Sequence, residues 1–255
     1  MEYAIVTVPA APVRRKPAHR REMVNQLLFG ETVKILKEKN ERWVRVRSLH
    51  DGYEGWVTRN LLSETEEALA HTRSPYVVSD LLALLVTDDI RMSIPVGSSL
   101  PGLENGRVRL AGMDYAFNGS FLKRDGRPAD GTLIRELAMP WLNAPYLWGG
   151  RTPLGVDCSG FVQVVFKMAG IDLPRDAWQQ AQEGNPVKQF REARAGDLAF
   201  FDRGEEIVHV GILIGDNRVI HASGQVRIDI LNKKGIADPV TGKRSLRLRA
   251  LRRVF

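Results

Sequence analysis

At Thr132 the residue pattern changes, and this change limits the fold more than any other feature of the chain. "TLIRELAMPWLN" spaces its apolar residues three and four apart, as a helix does, and "CSGFVQVVFKMAG" is a second helix candidate. Asp157 is placed to cap the start of that second helix and Gly170 to end it. "GDLAFF", "VHVGILIG", "RVIHAS", "VRIDIL" and "LRLRALRRV" then follow as strands. Helices first and antiparallel strands afterwards predict an α+β domain over residues 131–255.

Upstream the pattern is that of strands alone. In residues 1–65, "ETVKILKE", "RWVRVRSL" and "EGWVTRNL" alternate apolar with polar, and "LFGE", "EKNE" and "HDGYEG" supply the turns. Short strands at this density predict a small β-barrel, with Trp43 and Trp56 expected in its core. Residues 66–130 combine the apolar run "YVVSDLLALLV" with the turn-rich "PVGSSLPGLENGRVRLAGMD", and are read as a second small β-rich unit. "KRDGRPADG" then reads as a linker or long turn, and a chain of 255 residues has room for all three parts.

A hydrophobic fraction of 44% and a charged fraction of 26% are those of an ordinary soluble globular protein. The single cysteine excludes an internal disulfide and any site built from several thiolates, and fits a reducing compartment. The first residues do not read as an export signal, because Glu2 leads, prolines interrupt and the positive charges follow the apolar run. No stretch approaches the roughly 20 apolar residues of a membrane span, so the expectation is a cytoplasmic protein without a membrane partner. The net charge of +7 gathers at residues 14–21 and 243–253. In the second cluster Leu246 and Leu248 alternate with Arg247 and Arg249, without interleaved aromatics. This reads as a solvated strand face and not as a nucleic-acid surface.

Cys158 admits two readings. A lone cysteine commonly fills a core. As the first residue of a helix capped by Asp157, it would instead sit where unpaired N–H groups and the helix dipole favour a thiolate. A nucleophilic cysteine also needs a base, and the chain has five histidines. His19, His50 and His71 lie in polar surroundings typical of loops, whereas His209 and His221 lie on two apolar strands joined by "IGDN". A hairpin centred on Gly215 would bring these two directly opposite on one face, about 5 Å apart at Cβ. One ring could then fix the tautomer of the other. Two core histidines satisfied by backbone groups is the alternative that spacing leaves open.

The blocks "YLWGGRTPLGVDCSGFVQVVF", "RDAWQQ", "GDLAFF", "HVGILIG" and "VIHASG" occur in an order that resembles the NlpC/p60 family of papain-like bacterial cell-wall peptidases. The resemblance covers roughly residues 135–255. It implies a papain-like domain with Cys158 as nucleophile, His209 as base and acid and His221 orienting His209; no metal is expected, because the sequence offers no further His or Cys cluster to hold one, and no cofactor is expected. It further implies the Cys158 N–H and the Tyr146 hydroxyl as oxyanion donors. The implied reaction is hydrolysis of the γ-D-glutamyl–diamino acid bond of murein peptides.

"REMVNQLLFGETV", "RWVRVR" and "DGYEGWV" resemble bacterial SH3-like domains, and in related enzymes two such barrels precede the catalytic domain. By that resemblance Glu22 and Tyr53 bind a free N-terminal L-alanine, and Trp148, Asp157, Ser159 and Asp176 complete the substrate groove. Ala177 stands where this subgroup commonly has a serine. The implied partner is a small L-Ala-γ-D-Glu-diamino acid peptide met in cell-wall recycling. An exported hydrolase acting on intact wall and a non-catalytic wall-binding module are the alternative readings.

Overall fold

The computed structural model describes residues 1–237 and 244–255. Contacts divide the chain into two units: Met1–Gly126 with Trp148–Pro153, and Arg127–Leu147 with Leu154–Phe255.

The first unit opens with a seven-stranded antiparallel sheet, in the order Met23–Leu28, Ala10–Arg14, Glu54–Thr58, Trp43–Ser48, Thr32–Lys39, Tyr3–Val6, Leu62–Thr65. Its core is aliphatic: Val6, Val13, Leu27, Val44, Val46 and Val57 are buried together. Trp43 is buried, as expected, but outside that aliphatic cluster, whereas Trp56 is not a core residue, contrary to the sequence expectation. Strand alternation turns Val44 and Val46 inward, which leaves Trp43 and Trp56 on the outer face with Arg45 and Arg47. Trp43 is covered there by the ring of His19, 5.0 Å away between centroids. Trp56 is half-buried.

Residues 66–126 form a four-stranded sheet, in the order Arg91–Pro95, Leu82–Val86, Met113–Asn118, Arg107–Leu110, and a short ladder of Tyr76–Val78 with Phe121–Lys123. The apolar run "YVVSDLLALLV" is two strands broken at Ser79 to Leu81. Ile5 and Phe29 pack into this second core beside Leu85, Ile94 and Val108, so the two sheets share apolar contacts within the unit. Gly30 makes this possible: its φ is +74°, and a Cβ there would lie 2.3 Å from the Ser99 carbonyl oxygen.

Residues 148–153 belong to this unit through a buried ion pair. Arg151 is fully buried and donates from Nη1 and Nη2 to Glu31 Oε2 and Oε1 at 2.8 and 2.9 Å. Its Nη1 also reaches the Gln26 carbonyl, and its backbone N–H reaches Gln26 Oε1, each at 2.8 Å. A buried charge pair is tolerated only when satisfied in this way.

In the second unit the helix Gly131–Ala138 is capped by Asp130, whose carboxylate accepts the Leu133 N–H at 2.7 Å. The helix Cys158–Met168 is buried along its whole length, Gln163 and Lys167 included. Its Phe161 and Phe166 contribute about 2 kcal/mol each by burial. It packs on Glu206–Gly215 and Arg218–Ser223. These strands lie in an antiparallel sheet ordered Asn185–Pro186, Arg244–Arg253, Leu198–Arg203, Glu206–Gly215, Arg218–Ser223, Gln225–Asn232, Gly235–Ala237. Arg244–Arg253 also pairs with Gly235–Ala237, so six of the strands close into a ring around Phe201, Leu213, Val219 and Leu251.

The C-terminal arginines have a structural use beyond a solvated face. Arg247 holds Asp202 by two bonds of 2.7 Å, and Arg253 holds Asp197 at 2.7 and 2.8 Å, with both carboxylates fully buried. Lys243, the first residue of that cluster, lies outside the described residues. Among the described residues no helix is long and apolar enough to cross a membrane.

Candidate active site

Cys158 is the first residue of its helix, and Asp157 is the N-cap, accepting the Gly160 N–H at 2.7 Å. The cap is itself pinned. Arg175 donates to Asp157 Oδ1 and Oδ2 at 3.0 and 2.6 Å and to Ser159 Oγ at 2.9 Å. Asp157, Ser159 and Arg175 are all buried. The side chains of Asp157 and Ser159, expected in the substrate groove, are thus engaged in holding the helix start that carries Cys158. Arg175 was not singled out from sequence. The signal was present in "PRDAW", but a sequence does not say which carboxylate an arginine will reach.

The backbone N–H groups of Val210 and Ser159 face the Cys158 sulfur. Val210 follows His209, so the thiol docks on the strand that carries the expected base. The helix start does not leave Cys158 a thiolate, as the dipole argument expected. Burial, and next the charge of Asp157, push its thiol up to about 12, and the Val210, Arg175 and Ser159 contributions do not overcome them. Burial, and then His221, push His209 down to about 3. At rest Cys158 is therefore a neutral thiol and His209 a neutral imidazole.

His209 and His221 do meet, but not as a directly opposed pair. Ile212 pairs with Ile220 and Leu213 with Val219, a register that continues to place His221 across from Gly211. The turn is centred beyond Gly215, because Gly215, Asp216 and Asn217 all take positive φ, and a bulge falls between Leu213 and Gly215. The offset of two residues keeps both rings on one face. His209 Nε2 lies 2.8 Å from His221 Nδ1, with the rings edge-on at 85°.

Asp229 completes the chain, and sequence reasoning missed it. Its Oδ2 lies 3.0 Å from His221 Nε2, while Arg227 donates to Oδ1 at 3.1 and 2.7 Å. Burial works against the charge of Asp229, yet the bonds from His221 and Arg227 hold its carboxyl below the usual range. A carboxylate accepts only, so His221 carries its proton on Nε2 and presents a bare Nδ1 to the His209 Nε2–H. The lone pair of His209 is then at Nδ1, free to take a proton. In "VRIDIL" the aspartate alternates with isoleucines as any outward strand residue does, and nothing local marks it.

Tyr146 is half-buried, and burial followed by the charges of Cys158 and Asp157 push its hydroxyl up to about 12. It stays protonated and able to donate. As the first helical residue, Cys158 has an N–H with no intrahelical acceptor. Asp176 caps the short helix Ala177–Gln180 in a capping box with Gln179, and Ala177 is buried at its first position.

In the first unit, Trp148 donates its indole N–H to Glu22 Oε1 at 2.9 Å, and Arg15 reaches the same carboxylate at 2.6 and 3.3 Å. The Arg15 bonds, with help from Trp148 against partial burial, hold the Glu22 carboxyl below its usual range. Tyr53 packs against the aliphatic core, and its backbone N–H is held by Asp51 at 3.0 Å.

Residues 143–245 match the NlpC/P60 family, and residues 13–62 match the bacterial dipeptidyl-peptidase Sh3 domain. A Bacillus subtilis protein named gamma-D-glutamyl-L-lysine dipeptidyl-peptidase is 34% identical over 217 residues, covering 77% of this chain and 71% of that one. A Bacillus cereus protein of the same name is 31% identical, covering 88% and 75%. The crystal structure of an NlpC/P60 family protein from Bacillus cereus superposes with a TM-score of 0.85 at 25% identity over 99% of both chains. With its capped cysteine, two linked histidines and an N-terminal SH3 domain, the chain belongs to the NlpC/P60 family.

Proposed function

We propose that the protein is a cysteine peptidase that hydrolyses the γ-D-glutamyl–diamino acid bond of murein peptides with a free N-terminal L-alanine. The observation that carries this reading is the hydrogen-bonded chain from Asp229 through His221 to His209, with Cys158 docked on the adjacent Val210. The names of the Bacillus relatives support the choice of bond.

In this mechanism Cys158 Sγ attacks the γ-carbonyl carbon while its proton passes to His209 Nδ1. The Cys158 N–H and the Tyr146 hydroxyl donate to the developing oxyanion. The imidazolium gives its proton to the departing nitrogen as the C–N bond breaks, leaving a thioester. His209 then deprotonates a water that attacks the thioester, releasing the γ-carboxylate and restoring the thiol. Asp229 and His221 hold the ring of His209 in the tautomer this requires.

Glu22 and Tyr53 are assigned to the free alanine end, where a carboxylate offsets the ammonium. A free amine at that alanine exists only after the peptide has left the sugar chain, which fits a role in cell-wall recycling. The strands of residues 66–126 are read as a second SH3-like module. The helix-then-sheet order of the second unit is read as papain-like.

Mass spectrometry of products tests the reading. The protein is expected to cut free L-Ala-γ-D-Glu-diaminopimelate at the γ-glutamyl bond and to spare the N-acetylated peptide, with no turnover by Cys158→Ala. Equal cleavage of both peptides would remove the alanine-end role of Glu22. Turnover by Cys158→Ala would remove the mechanism.

A further inference from the structure

A groove of about 410 Å³ opens beside His209 and His221 within the second unit. Its apolar walls are Val208 and Leu246, and Ser223, Arg203 and Arg227 bring polar groups to it. The charges in it are unequal in availability. Arg227 directs Nε and Nη2 to Asp229, whose other oxygen is on His221. Asp202, the neighbour of Arg203 in sequence, is already held by Arg247. Arg203 is exposed at the end of its strand and makes no ion pair or side-chain hydrogen bond among the described residues. Glu206 stands across from it in register without pairing to it. Among the described residues the groove therefore holds one cation without an ion-pair partner, Arg203, in a lining that also includes the ring of His209.

Catalysis gives this position a meaning. His209 protonates the departing nitrogen, so the departing residue must lie against that ring. Resting on the peptidase reading above, we propose that the groove receives the leaving diamino acid and that Arg203 binds a carboxylate on its distal carbon. Val208 and Leu246 cover the methylene stem. A guanidinium pairs with a carboxylate through two parallel bonds, which an ammonium-terminated side chain cannot accept. The site therefore prefers a leaving residue that ends in an amino acid group to one that ends in an amine alone.

Three peptides test this: L-Ala-γ-D-Glu followed by meso-diaminopimelate, L-lysine or L-lysinamide. The unaltered protein is expected to favour diaminopimelate over lysine by about tenfold in kcat/KM, equivalent to about 1.4 kcal/mol. Arg203→Gln should bring that ratio to about one, and Arg203→Lys should restore part of it. A ratio that survives Arg203→Gln overturns the proposal, as does an equal loss on all three peptides. Discrimination by Arg203 between lysine and lysinamide alone would assign it to the α-carboxylate and overturn the distal assignment. Calorimetric binding of the same peptides to Cys158→Ala, with and without Arg203→Gln, separates the two readings. If nothing is cleaved, the peptidase reading fails, and the binding ratio still decides for or against Arg203.

Discussion

His221 lies diagonally across the hairpin from His209, and its Nδ1 is nevertheless 2.8 Å from His209 Nε2. The position across from His221 is Gly211, where a Cβ would lie 2.9 Å from the His221 Cβ and 2.6 Å from Val219 Cγ2. The missing side chain leaves room for the second histidine to reach the first.

Gly211→Ala should therefore cost catalysis more than folding. Moving the His221 ring by a few tenths of an ångström lengthens its bond to His209. Because an error of about 1 Å at a reacting group costs about 10²-fold, a drop of tenfold or more in kcat is expected. Steady-state kinetics and thermal unfolding on the same preparation check this, and an unaffected kcat would show that the ring has room to spare.

Replacing Asp229 by Asn should be at least as damaging as replacing it by Ala. An amide can donate to His221 Nε2, which would move the His221 proton to Nδ1 and turn that donor against His209 Nε2–H. By analogy with other orienting carboxylates, kcat should fall by about 10²-fold or more with little change in KM. The imidazole proton signals of the two rings would report the tautomer directly.

The two buried titrating groups predict opposite pH effects. Cys158, raised to about 12 by burial and by Asp157, should be alkylated by iodoacetamide at a rate that climbs steadily up to pH 10 in the ligand-free protein. A plateau below pH 7 would reveal a resting thiolate instead. His209 titrates at about 3 in the fold against an ordinary value of 6.5, so the unfolded chain binds the extra proton first. Its contribution to stability is complete above about pH 6.5 and is lost as the pH falls towards 3. His209→Gln should flatten the melting temperature across that window.

Breaking the pair of Arg151 with Glu31 should be costly, since each half would leave a buried charge unpaired. Arg151→Met or Glu31→Leu alone should destabilise by about 3–5 kcal/mol, and the double replacement should recover most of that. Urea unfolding of the full chain reads both effects. A double variant no better than the single ones would show that the Gln26 contacts dominate.

Much of the second unit was legible because its signals are local. Asp157 caps the Cys158 helix three residues from the N–H it accepts, and apolar strands follow in order. The parity that puts both histidines on one face is also local. The register was misread by two because three successive left-handed residues moved the turn past Gly215, and "GDN" alone does not fix a turn's centre. Alternation with Val44 and Val57 turns Trp43 and Trp56 to the outer face of their strands, where Trp43 is nevertheless buried under His19 and Trp56 is not. Arg175 with Asp157 and Arg151 with Glu31 are pairings across 18 and 120 residues, and no window of sequence contains either.

The excursion of residues 148–153 sets a rule for taking this protein apart. The chain passes between the two units three times: after Gly126, after Leu147 and after Pro153. A gene fragment beginning at Arg127 would therefore encode Trp148 and Arg151 without Glu22, Gln26 or Glu31. It would emerge with an orphaned guanidinium at Arg151 and an unpaired indole at Trp148, ten residues ahead of the nucleophile. No single cut in the chain separates the two units, so a fragment meant to carry Cys158, His209 and His221 alone needs residues 148–153 rewritten as well.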